Sequence, residues 1–95
     1  MVENDPQFDW DEANVEHVEE HSISPIEAEG AILDPSAIMP EIQAGEEERV
    51  KVVGRTSGAR ILVVVFTFRG EMIRPITAYP APVRLEKIYL EGELL

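Results

Sequence analysis

The chain has 95 residues, an apolar content of 44 % and a formal net charge of −11. That length allows one domain with one compact core, and the apolar content is ordinary for a globular protein. The absence of cysteine excludes disulfides, thiolate metal sites and a cysteine nucleophile. The acidic N-terminus has no signal-peptide pattern, and the longest apolar run, residues 61–66, is too short to span a bilayer. We expect a cytoplasmic protein without membrane association, a single domain over residues 1–95 in which residues 1–6 form a loose tail.

The charge is distributed unevenly along the chain. Residues 1–50 contain 15 acids and one base, a net charge of −14, whereas residues 51–95 contain four acids and seven bases, a net charge of +3. An acidic N-terminal surface repels phosphates, while the C-terminal half can accept them. The asymmetry indicates two different surfaces, although acidity can also serve solubility alone.

A brief strand at residues 7–10 is predicted to lead into a first helix at residues 11–20. Asp9 or Asp11 can cap this helix, because a carboxylate accepts the free N–H groups of the first turn. The predicted buried stripe at helical spacing comprises Trp10, Ala13 or Asn14, His17 or Val18, and His21.

The second helix has the clearest start in the sequence. Ser24-Pro25-Ile26-Glu27 is a capping box with proline at the first helical position, and the pattern runs to Leu33. Ile23 can pack onto the first turn from outside. The predicted stripe is Ile26, Gly30 and Leu33, with Ala28, Ala31 and Ile32 as apolar cover beside it.

Strands and a last helix are predicted for the rest of the chain. The strands cover residues 37–39, 46–55, 61–68 and 72–78, and the helix covers residues 81–90. Pro40 should stop the first strand, Ser57-Gly58 should form a hairpin turn, and Pro75 indicates an edge strand or a bulge. The expected fold is α+β, a small antiparallel sheet packed with two N-terminal helices and a C-terminal helix. Trp10, Phe66 and Phe68 are expected in the core.

Two groups of motifs resemble a known family. The first is Phe8-Asp9-Trp10-Asp11-Glu12, a helix ending in His21, and then Ser24-Pro25-Ile26-Glu27-Ala28. The second is Gly54-Arg55 through the apolar strand at residues 61–66, then Arg69-Gly70, then Ile73-Arg74-Pro75-Ile76-Thr77-Ala78. Over residues 8–89 this order resembles the BrnT-type toxins of bacterial toxin–antitoxin pairs. The resemblance implies a RelE-like fold, metal-independent cleavage of single-stranded RNA without a cofactor, and an antitoxin partner usually encoded beside the toxin.

The resemblance also selects site residues, since cations bind the phosphate and polar side chains activate the 2′-hydroxyl in such enzymes. Asp11, His21, Arg60 and Arg74 match family positions. The site we predict has a catalytic set of His21, Arg60, Arg74 and Tyr79, an RNA-binding pair of Arg55 and Arg69, and supporting residues Asp11 and Asn14, with no metal. Tyr79 could stack on a base or act as a weak acid. Strand alternation puts Arg49 and Lys51 on one face of their strand. If the strand cations Arg49, Lys51, Arg55, Arg60, Arg69 and Arg74 share a face or rim, they form a basic stripe suited to phosphates, although ion pairing with the acid-rich helices is favoured for Arg49 and Lys51.

Four positions depart from the family pattern. Asn14 stands where the family often has lysine, Ser22 where it has glycine, Tyr79 where it has arginine, and Leu85 where it has glutamate. Lost cations weaken stabilisation of a phosphate transition state. An alternative hypothesis is therefore a catalytically degenerate relative that acts as a protein-binding or homodimeric module.

A third hypothesis comes from His17-Val18-Glu19-Glu20-His21, which matches the His-x-x-Glu-His signature of inverted zinc peptidases. In that interpretation Glu20 is the base, and Glu91 or Glu93 could be a third ligand. The simpler interpretation makes His21 a helix-end residue without catalytic function.

Overall fold

The computed structural model describes residues 6–43, 45 and 47–93. The predicted tail at residues 1–6 therefore lies outside the described residues except for Pro6. The elements in chain order are α1 (Glu12–Glu19), α2 (Pro25–Leu33), β1 (Ile38–Gln43), β2 (Arg49–Arg55), β3 (Ile61–Arg69), β4 (Met72–Pro80) and α3 (Val83–Glu93). The four strands form one antiparallel sheet in the order β1-β2-β3-β4. The predicted α+β fold is confirmed.

The segment before α1 makes a single β-bridge. Phe8 lies beside Ile73 in parallel, and two backbone hydrogen bonds of 2.9 Å join Asp9 N–H to the Ile73 carbonyl and Ile73 N–H to the Gln7 carbonyl. The predicted brief strand thus exists only as this bridge, which attaches the segment to the outer edge of β4.

Helix α1 begins where the sequence predicts it. The Asp11 carboxylate accepts the backbone N–H groups of Ala13 and Asn14, and the Asn14 side chain accepts the Asp11 N–H in return. These bonds satisfy donors that the first turn would otherwise leave free. Of the alternatives in the predicted stripe, Asn14 and Val18 are the buried residues, whereas the assignment of His21 to the stripe is wrong because its side chain is exposed.

Helix α2 has the predicted start and end, but the predicted stripe is wrong. Ala28 and Ala31 face the sheet, whereas Ile26 is 79 % exposed and Leu33 is 50 % exposed. The reason is the close approach of α2 to β2: a Cβ built on Gly54 would lie 1.9 Å from the Ala31 carbonyl oxygen. Only small side chains fit between the two elements, so the larger apolar residues point outward.

Two prolines mark irregularities in the edge strands. Pro40 does not stop β1 as predicted; the strand continues to Gln43, because a register shift between Ile38 and Glu41 accommodates the proline. Pro75 lies in the edge strand β4 next to a second register shift, at Val65 and Phe66 of β3, as the sequence indicates.

The sheet has two differently covered faces. We call the side that carries Val52, Leu62, Val64 and Ala78 the helical face, since these residues form one core cluster with residues of α1 and α2. The opposite side, with Val53, Val63, Val65 and Tyr79, is the open face. Leu85 and Tyr89 of α3 pack on Val53 and Val63. In the described part of the chain, no helix is long and apolar enough to cross a membrane.

Of the three aromatic residues expected in the core, only Phe66 is fully buried. Trp10 is partly buried against the helical face, and its indole N–H donates to a Glu29 carboxylate oxygen at 2.7 Å. Phe68 is 52 % exposed, so its assignment to the core is wrong. Phe68 lies on the same face of β3 as the buried Phe66, but about half of its surface remains exposed.

Candidate functional site

Helix α1 and strand β4 form a seam of polar contacts between Asp11, Asn14, His17 and His21 on one side and Arg74, Pro75, Ile76 and Tyr79 on the other. The helix positions are three, three and four residues apart, which places them on one side of α1. Contacts from Asp11–Arg74 at the start to His21–Tyr79 at the end show that α1 and β4 run in the same direction. The seam gathers five of the eight predicted site residues.

Arg74 lies at the start of the seam between two carboxylates. Its Nη2 is 3.0 Å from Asp11 Oδ2, and its Nη1 is 3.5 Å from Asp9 Oδ2, which is also 3.2 Å from Arg69 Nη1. Arg74 Nη1 is buried and finds no hydrogen-bond acceptor among the described residues. The hydrogen bond from the Asn14 N–H lowers the pKa of Asp11; desolvation opposes this, and Arg74 lowers it further.

Asn14 is a structural residue at the centre of the seam. It is only 3 % exposed, and its side-chain amide donates to the carbonyls of Asp9 at 2.9 Å and Pro75 at 2.8 Å. Its carbonyl oxygen accepts the Asp11 N–H at 2.7 Å. One buried amide therefore fixes the N-terminal segment, the start of α1 and the irregular part of β4 relative to one another.

His21 and Tyr79 meet at the other end of the seam. Their ring centroids are 6.1 Å apart and the rings are inclined by 60°. Ser22, directly after His21, has a φ of 60°, a left-handed conformation that favours glycine. This geometry explains why the family pattern has glycine there. The turn brings the chain back onto the core of the helical face at Ile23, which is buried.

Arg60 supports this end of the seam from the start of β3. Its Nη1 is 2.9 Å from Glu27 Oε2 and donates to the Ser22 carbonyl at 3.2 Å, one residue from His21. The Ser24 N–H lowers the pKa of Glu27; desolvation opposes this, and Arg60 lowers it further. Arg60 is therefore engaged by the turn between α1 and α2.

A pocket of about 320 Å³ lies on the open face, on the other side of the edge strand β4 from the seam. Arg49, Lys51 and Tyr79 supply cations and an aromatic ring, and Gln43, Val65, Ile76 and Thr77 complete the lining. We call this the open-face pocket. Strand alternation places Arg49 and Lys51 on the open face, on the side of the sheet opposite α1 and α2.

Ile76 and Tyr79 connect the open-face pocket to the seam. Ile76 also lines a smaller pocket of about 100 Å³ with His17 and Arg74 in the seam. Tyr79 lines the open-face pocket and contacts His21. The edge of β4 therefore has cations on both sides, Arg49 and Lys51 in the open-face pocket and Arg74 in the seam, while the two imidazoles lie on the seam side.

Arg55 lies apart from the seam, beneath α3. Its guanidinium carbon is 5.6 Å from the Tyr89 ring centroid, and its backbone N–H donates to Asp34 Oδ2 at 2.8 Å. The Tyr89 hydroxyl donates to the same oxygen at 2.5 Å. Desolvation alone would raise the pKa of Asp34, but hydrogen bonds from Tyr89, the Ser36 N–H and the Arg55 N–H outweigh it and lower that pKa.

The zinc hypothesis finds no ligand set. Within the described residues, no three side chains of histidine, aspartate or glutamate converge as metal ligands. His17 and His21 are both exposed and face different residues of β4. The side chain of Glu93 lies outside the described residues.

The sequence indicates no site function for Gln43 or Thr77, and for His17 it indicates only a zinc ligand. Alternation placed Arg49 and Lys51 on one face of their strand, and Thr77 and Tyr79 alternate in the same way. The sequence did not show the order of the strands, which places these residues of β2 and β4 around one pocket. Leu85, at the family's glutamate position, is a buried core residue.

The comparison with known families agrees with this architecture. The family model described as the ribonuclease toxin BrnT of type II toxin–antitoxin systems matches residues 10–84. No curated protein matches the chain. The matched range begins at Trp10 and contains the whole seam, the four strands and the start of α3. The chain therefore belongs to the BrnT family of ribonuclease toxins of type II toxin–antitoxin systems.

Proposed function

We propose that the chain is an endoribonuclease that cleaves single-stranded RNA without a metal ion, at the edge of β4 where the open-face pocket meets His21. The observation that carries the proposal is the position of Tyr79, which lines a pocket with two cations and contacts an imidazole. Membership of a ribonuclease toxin family supports the reaction class.

Single-stranded RNA fits the open-face pocket better than a duplex. An aromatic ring on which an unpaired base can stack, next to cations that neutralise the backbone, is the usual arrangement for single-strand recognition. Tyr79 supplies the ring, and Arg49 and Lys51 supply the charge. A base held within a duplex could not reach the Tyr79 ring in this way.

The reaction needs only side chains. The His21 imidazole accepts the proton of the ribose 2′-hydroxyl, and the 2′-oxygen attacks the adjacent phosphorus. The bond from phosphorus to the 5′-oxygen breaks, and the Tyr79 hydroxyl gives its proton to that oxygen. The products are a 2′,3′-cyclic phosphate and a 5′-hydroxyl end. Lys51 stabilises the negative charge that grows on the phosphate oxygens.

The arginines predicted as catalytic have other functions in this proposal. Arg74 is five extended residues from Tyr79, on the order of 15 Å along the strand, so the two cannot act on one phosphorus. In this proposal the exposed Arg69 contacts a flanking phosphate, while Arg74 is a positioning residue that holds Asp9 and Asp11. Arg60 is a positioning residue, because it binds the turn that carries His21. Arg55 packs beneath α3.

Cleavage of an unstructured RNA oligonucleotide by the purified chain tests the proposal. We expect cleavage in excess EDTA with 2′,3′-cyclic phosphate ends, and a loss of about 10²-fold to 10⁴-fold in Tyr79→Phe and His21→Gln. Tyr89→Phe is the matched control, since the Tyr89 hydroxyl donates to Asp34 and Tyr89 is not among the residues that line the open-face pocket. Loss of cleavage in EDTA would contradict the proposal, and so would full activity in the variant that carries both Tyr79→Phe and His21→Gln.

A second candidate is the non-catalytic relative. The observation in its favour is that Arg60, Arg69 and Arg74 already have carboxylate partners within the chain. In that case the folded wild-type chain neither cleaves nor retains RNA at low salt, while its binding to an antitoxin is unimpaired.

A further inference from the structure

Two large apolar side chains on the helical face, Ile42 and Phe68, lie next to the core and are exposed. Ile42 lies opposite Val50, which lies opposite Phe66, and both of these belong to the core cluster under α1 and α2. Phe68 follows Phe66 by two residues, so it lies on the same face. Ile42 is 57 % exposed and Phe68 is 52 % exposed.

The residues that lie between Ile42 and Phe68 on this face are apolar as well, although they are themselves buried. Phe66 packs edge to face against Phe68 with ring centroids 5.7 Å apart, and Val50 is buried beside Ile42. We call the surface formed by Ile42, Val50, Phe66 and Phe68 the apolar shelf. Large apolar side chains exposed together at the end of a core are typical of a protein-binding site.

The border of the apolar shelf is acidic. Glu47 and Glu48 lie in the connection between β1 and β2 and are both exposed. The Thr67 hydroxyl donates to the Glu48 carbonyl at 2.6 Å, which attaches this connection to β3. A segment complementary to the shelf would therefore have apolar residues followed by lysine or arginine.

We propose that the apolar shelf is the docking site of the antitoxin, which presents an apolar segment flanked by basic residues. The proposal depends on membership of a toxin–antitoxin family and not on the cleavage mechanism. A second copy of the chain is the less suitable occupant, because two chains of net charge −11 repel each other and both carry the acidic border.

The position of the apolar shelf has a consequence for the partner. The shelf lies on the helical face and the open-face pocket lies on the other side of the sheet. An antitoxin segment on the shelf therefore leaves Lys51 and Tyr79 uncovered, and its binding should not compete directly with a short RNA.

Calorimetric titration of the wild-type chain with the small protein encoded beside its gene tests the proposal. Ile42→Ser and Phe68→Ser should each weaken binding on the order of tenfold or more, as truncation of a central apolar contact does. Ile26→Ser is the matched control, because Ile26 is 79 % exposed on the outside of α2 and should leave the affinity unchanged. Glu47→Lys should slow association.

Three outcomes would overturn the docking site. One is wild-type affinity in the Ile42→Ser, Phe68→Ser double variant, and another is no binding of the neighbouring gene product to the wild-type chain. The third is a wild-type dimer in sedimentation that Phe68→Ser converts to a monomer, which would assign the shelf to a second copy. Cleavage assays on the same variants keep failure of this site distinct from failure of the ribonuclease mechanism.

Discussion

The helical face and the open face of the sheet differ in what covers them. On the helical face, α2 approaches β2 closely enough that alanine and glycine are needed at the contact. On the open face, Leu85 and Tyr89 cover Val53 and Val63, while Arg49 and Lys51 line a pocket. These cations lie in a part of the sheet that solvent can reach, because burial of a charge under a packed helix would be strongly destabilising. The helical face is therefore closed by packing along α2, whereas part of the open face remains a pocket lined by cations.

The largest expected effect on stability comes from adding a side chain at Gly54, where α2 contacts β2 on the helical face. Gly54→Ala places a Cβ 1.9 Å from the Ala31 carbonyl oxygen, so α2 must move away from β2. We expect a loss of about 3 kcal/mol or more in the free energy of unfolding, measured by urea denaturation. Gly58→Ala, in the hairpin turn, is the control and should change it by less than about 0.5 kcal/mol. Equal stabilities of the two variants would show that the contact is looser than described.

The next effect concerns the buried amide of the seam. Asn14→Ala leaves the carbonyls of Asp9 and Pro75 without a donor, and an unsatisfied buried polar group typically costs about 1–3 kcal/mol. We expect a loss of about 2–3 kcal/mol and faster amide exchange at Ile73, the residue to which the N-terminal segment is bonded. A loss below about 0.5 kcal/mol would contradict the structural function assigned to Asn14.

A smaller effect, dependent on pH, is expected where Asp34 links the two faces. The pKa of Asp34 in the folded chain lies below its usual value of 3.8, so its contribution is present above that value and is lost as the pH falls through the folded pKa. Asp34→Asn should therefore be less stable than wild type by about 1 kcal/mol at pH 7, the scale of one hydrogen bond. Thermal unfolding between pH 7 and pH 2.5 should show this difference shrinking. A difference that is constant over that range would contradict the assignment.

The smallest effect on stability is expected on the open face. Arg49→Ala removes an exposed cation and should change the free energy of unfolding by less than about 0.5 kcal/mol. If RNA uses the open-face pocket, the slope of log affinity against log salt should nevertheless fall by about 0.7, as expected for one lost phosphate contact on a single strand. An unchanged salt dependence would separate the pocket from RNA binding and weaken the comparison between the two faces.

Local sequence signals determined the elements of this protein. Ser24, and Asp11 as one of two candidate caps, marked the two helix starts. Alternation and an apolar run indicated the strands apart from the end of β1, and the order of motifs indicated the BrnT family that the family comparison confirms. These signals suffice because capping and strand pleating depend on neighbours within a few residues. Seam partners such as Asp11, Asn14 and Arg74 were also identified from motif positions, although their contacts were not.

Only the tertiary structure decided which side of each element is covered. Ile26 and Leu33 have the spacing of a buried stripe, yet Gly54, about twenty residues along the chain, sets a distance at which only Ala28 and Ala31 fit beneath α2. Phe68 lies on the face of β3 that carries the core, yet it is 52 % exposed. Lys51 and Tyr79 line one pocket because of the order of the strands in the sheet. Burial depends on which elements meet and how closely, and neither quantity is encoded in local periodicity.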